Sequence, residues 1–184
     1  MSTMTTTLSE FRQIGIANTL RTCQLFAGMR PAELSNIAAI TVVKAVEKGE
    51  YLFRESDDPY GFFIVQNGAI NVHRVNSSGR EQVLHVFRAG ESLAEDTVAN
   101  ENGYPADARA VEDSLVLQVQ KIGFLALLKR HPELALKILN ALGRQLRLLI
   151  SHFDDVTLKH VEGRLANWLM QRCPDPNSSA PVAI

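Results

Sequence analysis

Residues 62–75 read Phe-Phe-Ile-Val-Gln-Asn-Gly-Ala-Ile-Asn-Val-His-Arg-Val, which is two apolar runs separated by a glycine. The second run, Ala69–Val75, alternates with a period of two, as is typical of a β-strand with one buried face. Gly68 stands between the runs, where a tight turn needs a positive φ. The stretch therefore predicts two β-strands joined by a turn.

The same pattern extends outward on both sides, from residue 41 to residue 120. Short β-type runs alternate with Gly, Asn, Ser and Pro; they are Thr41–Val46, Tyr51–Arg54, Phe62–Val65, Ala69–Val75, Gln82–Phe87, Ala106–Val111 and Leu115–Val119. Seven short strands at this spacing are typical of an antiparallel sandwich or barrel. The Asn-Ser-Ser-Gly cluster at 76–79 predicts that the two runs flanking it form a hairpin.

Helical patterns stand on either side of the strands. Residues 8–22 and 31–39 predict short helices before the strands, and residues 121–130 predict another one after them. Pro132 then opens a long helix, because proline is tolerated in a first helical turn. The predicted fold class is α+β: an antiparallel β-roll of the double-stranded β-helix or jelly-roll type, with flanking short helices and a long C-terminal dimerisation helix.

The long helix carries a heptad pattern. Its apolar residues recur at alternating spacings of four and three; they are Ala135, Leu139, Leu142, Leu146, Leu149, Phe153 and Val156. A second apolar flank consists of Leu136, Ile138, Leu148 and Ile150. A helix with two apolar flanks needs two partners. We therefore expect the second flank to pack on the sheet and the heptad seam to form a parallel homodimeric coiled coil; the alternative is a helix buried only against its own sheet.

Composition excludes several classes of protein. The 184 residues include 19 Lys+Arg and 20 Asp+Glu, and this net charge of -1 argues against autonomous nucleic-acid binding. The two cysteines, Cys23 and Cys173, exclude a cluster held by four thiolates and favour a reducing, cytoplasmic environment. No window approaches 18 apolar residues, so we expect no membrane span.

Catalytic motifs are absent from the sequence. It contains no phosphate-binding loop, nucleophile elbow or metalloprotease motif. An enzyme on a cupin-like β-fold would need a metal triad such as two histidines and a carboxylate. The five histidines show no such spacing; they are His73, His85, His131, His152 and His160. We therefore expect no enzymatic activity.

The segment between the fifth and sixth predicted strands favours a ligand site. Residues 89–98 combine small residues with a carboxylate near the start of a short helix, and 104–110 return as an alanine-rich strand. Such a segment can leave a cavity against the sheet, and exposed N–H groups at a helix start suit an anion. A surface loop without a ligand is the alternative.

In this order, the elements resemble the Crp/Fnr family of bacterial transcription regulators, over roughly residues 20–172. The matching phrases are Lys-Gly-Glu-Tyr-Leu-Phe at 48–53, Phe-Ile-Val-Gln-Asn-Gly-Ala-Ile-Asn-Val at 63–72, Gly-Glu-Ser-Leu-Ala-Glu at 90–95, and the heptad helix. The resemblance implies that the roll senses a small-molecule or gaseous effector. It further implies that the long helix forms a homodimer and that a winged helix-turn-helix binds DNA.

The resemblance also implies a division of the chain. Residues 1–20 would be an N-terminal helical segment, 21–130 the cyclic-nucleotide-binding-like sensor, 131–160 the dimerisation helix and 161–184 the start of a truncated winged helix-turn-helix domain. DNA would then be bound through the absent C-terminal domain. The alternative is a stand-alone cyclic-nucleotide-binding regulatory protein, in which 161–184 is only a tail.

For the ligand, the resemblance points to Leu93, Ala94, Glu95, Tyr104, Pro105 and Ala106. Cyclic-AMP binders resemble Phe-Gly-Glu followed, about ten residues later, by Arg-Ser/Thr-Ala. Glu95 matches the glutamate that bonds the ribose. Tyr104-Pro105-Ala106 replaces the arginine motif, so the cation that pairs the cyclic phosphate is missing and Pro105 lacks a backbone N–H. Ala94 stands where the family has glycine, and Arg109 lies too far along the strand to substitute. Weak or no cyclic-AMP binding is therefore predicted.

Crp/Fnr members with Tyr-Pro at this position resemble the branch of the family that senses redox or gaseous signals. This branch includes nitric-oxide-responsive regulators, some of which use haem. Haem needs an axial ligand. The candidates are His73, His85 and Cys23, although no ligand spacing supports any of them. A small apolar or anionic ligand is the alternative.

Overall fold

The computed structural model describes residues 13–99 and 102–157, without the side chains of Leu149 and 151–157. Two antiparallel four-stranded sheets form a β-roll, in the orders β1-β8-β3-β6 and β2-β7-β4-β5. The strands are β1 Thr41–Val46, β2 Tyr51–Phe53, β3 Gly61–Asn67, β4 Ala69–Val75, β5 Glu81–Arg88, β6 Ser92–Leu93, β7 Asp107–Ala110 and β8 Ser114–Gln120. The predicted α+β β-roll is confirmed; β6, with two residues, is too short to show a period.

Within the described residues, four α-helices flank the roll. Helix α1 is described over 13–22, and the others are α2 Pro31–Ala38, α3 Lys121–Arg130 and α4 Pro132–Thr157. Proline stands in the first turn of α2 and α4, as predicted. None of the described helices has the length and apolar character needed to cross a membrane. The predicted start of a second domain at 161–184 lies outside the described residues.

Strand β3 is buried on both faces, which accounts for the continuous apolar run at its centre. Phe62 and Ile64 belong to a core cluster that also contains apolar side chains of α1, α2, α3 and the start of α4. Phe63 and Val65 belong to a second cluster, formed with β2, β4, β7 and β8. Because successive side chains of a strand point to opposite faces, a strand covered on both faces must be apolar throughout.

The hairpin predicted around the turn cluster is present. Strand β4 pairs antiparallel with β5, from Ala69 opposite Arg88 to Val75 opposite Glu81. The Asn76 side chain accepts hydrogen bonds from the backbone N–H groups of Ser78 and Arg80, at 3.1 and 2.9 Å, and this closes the turn.

The flank of α4 that packs on the roll agrees with the predicted one in part. Leu134 belongs to the helix-side core cluster, the predicted Ile138 packs against that cluster, and Ala141 is buried. Leu136, which we also assigned to this flank, is exposed, so its assignment was wrong. The buried positions follow the spacing i, i+4, i+7 of a single helix face, and residue 136 falls between two of them.

The heptad seam of α4 stays a prediction. Of its described side chains, Ala135 is half-buried, whereas Leu139, Leu142 and Leu146 are 63%, 41% and 58% exposed. The side chains of Leu149, Phe153 and Val156 lie outside the description. A row of exposed apolar side chains is typical of an interaction surface.

An ion-pair cluster fastens the start of α4 to α2. The buried carboxylate of Glu33 accepts hydrogen bonds from the Arg30 guanidinium at 2.7 Å and from Lys137 Nζ at 2.7 and 2.9 Å. These bonds, led by the one from Arg30, lower the pKa of Glu33 from 4.5 to about 2. The cluster therefore stabilises the fold while Glu33 is ionised.

Glu33→Gln is expected to lower the free energy of unfolding by about 1–2 kcal/mol at pH 7, because charge-assisted hydrogen bonds are lost. A depressed folded-state pKa gives stability that is fully present above the unfolded pKa of 4.5 and is lost as pH falls through about 2. Urea unfolding at pH 7 and pH 2 should therefore show a gap that closes on acidification. The control is Glu133→Gln, which removes the exposed pair with His131 and, within the cluster, only the weakest of the interactions that act on Arg30. An equal gap at both pH values would contradict the assignment.

Candidate functional site

A cavity of about 240 Å³ opens between residues 90–95 and 104–106, which together we call the cassette, and the sheet that contains β4 and β5. The described residues that line it are mostly apolar: Phe53, Val72, Leu84, His85, Phe87, Leu93, Ala94, Asp96, Pro105 and Ala106. An apolar concave surface with a few polar groups is the usual form of a small-molecule site.

The structure brings together four of the six residues predicted for the ligand. Leu93, Ala94, Pro105 and Ala106 line the cavity, although Ala106 is 12 positions from Ala94 along the chain. Glu95 and Tyr104 are not among the described lining residues. Their places in the structure give each of them a different role.

Tyr104 is buried behind the cavity wall. Its hydroxyl donates a hydrogen bond to the Gly61 carbonyl at 2.8 Å, and its ring stacks on Phe53 with 3.9 Å between centroids. Burial raises the pKa of Tyr104 far above its usual value, so the phenol stays neutral. Tyr104 therefore supports Phe53, which does line the cavity, and offers no charge to a ligand.

Glu95 has a partner inside the protein. The Ser92 hydroxyl donates to a Glu95 carboxylate oxygen, and burial raises the pKa of Glu95. Cys23, whose thiol pKa is also raised by burial, lies beside these two groups. Asp96, the next residue, is the carboxylate that lines the cavity. The acidic group facing a ligand is thus one position from the one that sequence reasoning chose.

Ala94, in the cassette, has a strained backbone conformation. Its φ of 64° lies in the left-handed region, which costs a residue with a Cβ about 1–2 kcal/mol. The family pattern has glycine at this position. Ala94 keeps the left-handed backbone conformation that favours glycine, although it has a Cβ. The turn makes Leu93 and Ala94 neighbours on the cavity wall.

Positive charge is scarce around the cavity. Neither lysine nor arginine occurs among the described residues that line it. Arg109 is engaged elsewhere: its guanidinium pairs with Glu81 at 2.9 Å and lies 5.6 Å from the centroid of the Tyr51 ring. The residues that line the described cavity therefore include no cation.

Sequence reasoning missed one functional candidate, Arg74. Its Nε donates a hydrogen bond to the carbonyl oxygen of Pro105 at 3.0 Å, which places the guanidinium next to the cavity wall. The available signal was strand parity, because Arg74 shares a face of β4 with the lining residue Val72. Nothing in the sequence shows that residue 105 folds back onto residue 74.

The three haem-ligand candidates do not meet. His85 lines the cavity, with its Nε2 at 3.5 Å from a Glu91 oxygen. His73 is fully buried outside the cavity lining, its Nε2 3.9 Å from oxygens of both Glu81 and Asp107, and neither ring nitrogen has a hydrogen-bond partner. Cys23 is buried in the cluster that contains the helices. Among the described residues, no group of three or more His, Cys, Asp or Glu side chains is arranged to hold a metal ion.

Comparison with known proteins identifies the roll. Residues 43–131 match the family model of the cyclic nucleotide-binding domain. The chain is 26% identical over 147 residues to a cyclic AMP receptor protein of Thermus thermophilus. The aligned region covers 80% of this chain and 68% of the relative. The chain is 25% identical over 155 residues to an anaerobic regulatory protein of Bacillus subtilis, covering 79% of this chain and 65% of the relative.

A solved structure extends the likeness to the fold. The crystal structure of DNR from Pseudomonas aeruginosa matches with a TM-score of 0.68 and 25% identity, covering 91% of this chain and 74% of that one. The resemblance predicted from the cassette and the strand phrases is thereby confirmed. This chain spans about two-thirds of the length of the two curated regulators, so the activity of a whole regulator is a matter of proposal.

Proposed function

We propose that the protein is the effector-sensing and dimerisation module of a Crp/Fnr-type regulator. The premise is that residues 43–131 form a cyclic nucleotide-binding domain in a chain related to such regulators. In this proposal the effector is a small organic molecule other than cyclic AMP. The module has no enzymatic activity, acts in the cytoplasm, and controls DNA binding through a C-terminal domain.

The observation that carries the proposal is the shape and polarity of the cavity. Its described lining combines eight apolar residues with His85 and Asp96 and contains no lysine or arginine. A buried phosphate that lacks a charge partner costs several kcal/mol. Tyr104 stands at the position of the family's arginine and carries no charge, and Pro105, the next residue, has no N–H to offer. The cavity thus favours an apolar ligand body over a cyclic phosphate.

Signal transfer follows from a two-state equilibrium. An effector that binds one arrangement of roll and dimer helix more tightly shifts the population toward it. The shift changes the angle between the two helices of the dimer and, with it, the spacing of the DNA-binding domains. Leu93, Ala94, Pro105 and Ala106 are the residues through which a ligand would act first.

A redox or nitric-oxide response through haem is the second candidate, predicted from Tyr104-Pro105. The geometry does not favour it. A cavity of about 240 Å³ falls below the roughly 300–1,000 Å³ of pockets that enclose drug-sized ligands, and haem is at least as large as those. His85 is the one axial-ligand candidate on the described cavity wall, and its side chain is 56% exposed. A Soret band after addition of haemin to the purified protein would favour this candidate; no band would support the organic effector.

Cyclic AMP at millimolar concentration is expected to give no saturable heat when it is titrated into the purified chain. The reason is that the uncharged Tyr104 stands where the family has its arginine, since a charge-assisted pair with a phosphate contributes about 1.5–3 kcal/mol, or roughly ten- to a hundredfold in affinity. Isothermal titration calorimetry, with injection into buffer as the control, measures this directly. A micromolar dissociation constant would disprove the predicted loss of cyclic-AMP binding.

A further inference from the structure

We infer that the effector is a small, mostly apolar carboxylic acid, and that Arg74 holds its carboxylate beside Pro105. This inference rests on the proposed function, because it names the ligand class of the same cavity. The residues that carry it are Arg74, Pro105 and the apolar wall next to them.

Arg74 is placed by the strand and by one hydrogen bond. It follows the lining residue Val72 by two positions on β4, so both side chains leave the same face of the sheet. Its Nε donates to the Pro105 carbonyl at 3.0 Å, and Pro105 itself lines the cavity. The guanidinium is thus tied to the cavity wall by Nε alone.

The rest of the guanidinium is available to a ligand. Within the described residues, no carboxylate forms an ion pair with Arg74, in contrast to Arg30 and Arg109, which pair with Glu33 and Glu81. A guanidinium with free Nη groups presents parallel N–H donors that match the two oxygens of a carboxylate. Because Arg74 is exposed, an acid held there keeps part of its hydration, so one cation is sufficient.

The volume of the cavity sets the size of the apolar part. An apolar cavity of about 150 Å³ admits benzene. A cavity of about 240 Å³ therefore accepts one aromatic ring with a short side chain. Phe53, Phe87 and Leu93 supply apolar surface for such a ring. An arylacetic acid has this size and carries its charge at one end.

Two other polar residues of the lining constrain how the acid lies. Asp96 is the acidic residue of the described lining, so the carboxylate is directed to the Pro105 wall. His85 has its Nε2 3.5 Å from a Glu91 oxygen, so this ring already faces a carboxylate. Arg74 is accordingly the group that gives the site its preference for an acid.

The test compares an acid with its neutral isostere. Phenylacetate and phenylacetamide are titrated into the purified ¹⁵N-labelled chain, and dissociation constants are taken from amide shifts at Val72, Leu93 and Ala94. We expect the acid to bind about tenfold to a hundredfold more tightly than the amide, as a charge-assisted bidentate contact allows. In Arg74→Gln the acid should lose this advantage, while the affinity for the amide stays within about twofold.

The matched control is Arg80→Gln. It makes the same change of charge in the turn of the same hairpin, so it should leave the preference for the acid unchanged. Arg74→Lys keeps the charge but loses the planar fork, so it should restore only part of the preference. Asp96→Asn should strengthen the binding of the acid by removing a like charge.

The outcomes separate the inference from the proposed function. Equal affinity of the acid and the amide in the unchanged protein, with shifts at the cavity residues, overturns the inference and leaves the proposed cavity intact. A preference for the acid that persists in Arg74→Gln overturns the role of Arg74. Absence of shifts at the cavity residues with both probes overturns the proposed site and the inference together.

Discussion

Leu146→Glu is expected to convert a dimeric protein into a monomer. Leu146 stands at the centre of the predicted seam and is 58% exposed on α4. In a parallel coiled coil, the two copies of this position face each other. The substitution would bury two carboxylates side by side, and the cost of several kcal/mol weakens association by more than about a hundredfold. Sedimentation velocity should show the unchanged chain at twice the mass of one copy and the variant at the single mass.

Asn140→Glu is the matched control for this experiment. It adds the same charge to α4 at an exposed position outside the seam. We expect it to remain dimeric. If Leu146→Glu stayed dimeric, the seam would be wrong and the exposed leucines of α4 would need another partner. If both variants were monomeric, the effect would come from helix charge and not from the seam.

Most of the fold could be predicted because its signals are local. The boundaries of β1, β4 and α3 coincide with the sequence prediction, since residues that break or turn the chain follow the end of each of them. The short strand β6 has only two residues, so it contains no period to detect. On the buried flank of α4, Ile138 was predicted, but Leu136 was chosen in place of Leu134, because the two are equally apolar and only packing distinguishes them.

The candidate site could be predicted only in part, because its last step is tertiary. Leu93, Ala94, Pro105 and Ala106 were placed by the pattern of the cassette, and the structure brings them to one cavity. The direction in which a side chain points is not written in that pattern: Glu95 has Ser92 as its partner and Tyr104 bonds Gly61. Arg74 reaches Pro105 across 31 positions of sequence, a contact that no local rule predicts.

Gly68→Ala is expected to lower the free energy of unfolding by about 3–5 kcal/mol. The φ of Gly68 is +87°, a conformation that costs alanine about 1–2 kcal/mol. An added Cβ would lie 2.8 Å from both Cα and Cβ of Ser114 and still closer to its hydroxyl. That hydroxyl accepts a hydrogen bond from the Ala69 N–H at 3.1 Å and donates one to the Glu112 carbonyl at 2.7 Å. The start of β8 would have to move, and both bonds would be disturbed.

Gly79→Ala separates the two causes. Its φ of +78° imposes a similar conformational cost, but no atom lies within 4 Å of the added Cβ. Urea unfolding should therefore show a loss of about 1 kcal/mol for this variant, since part of the strain is offset by the lower entropy of the unfolded chain. The difference between the two variants measures the close approach of β3, β4 and β8 at Ser114. Equal losses would mean that the turn at Gly68 needs a positive φ alone, and that the roll tolerates a side chain where the structure shows no room for one.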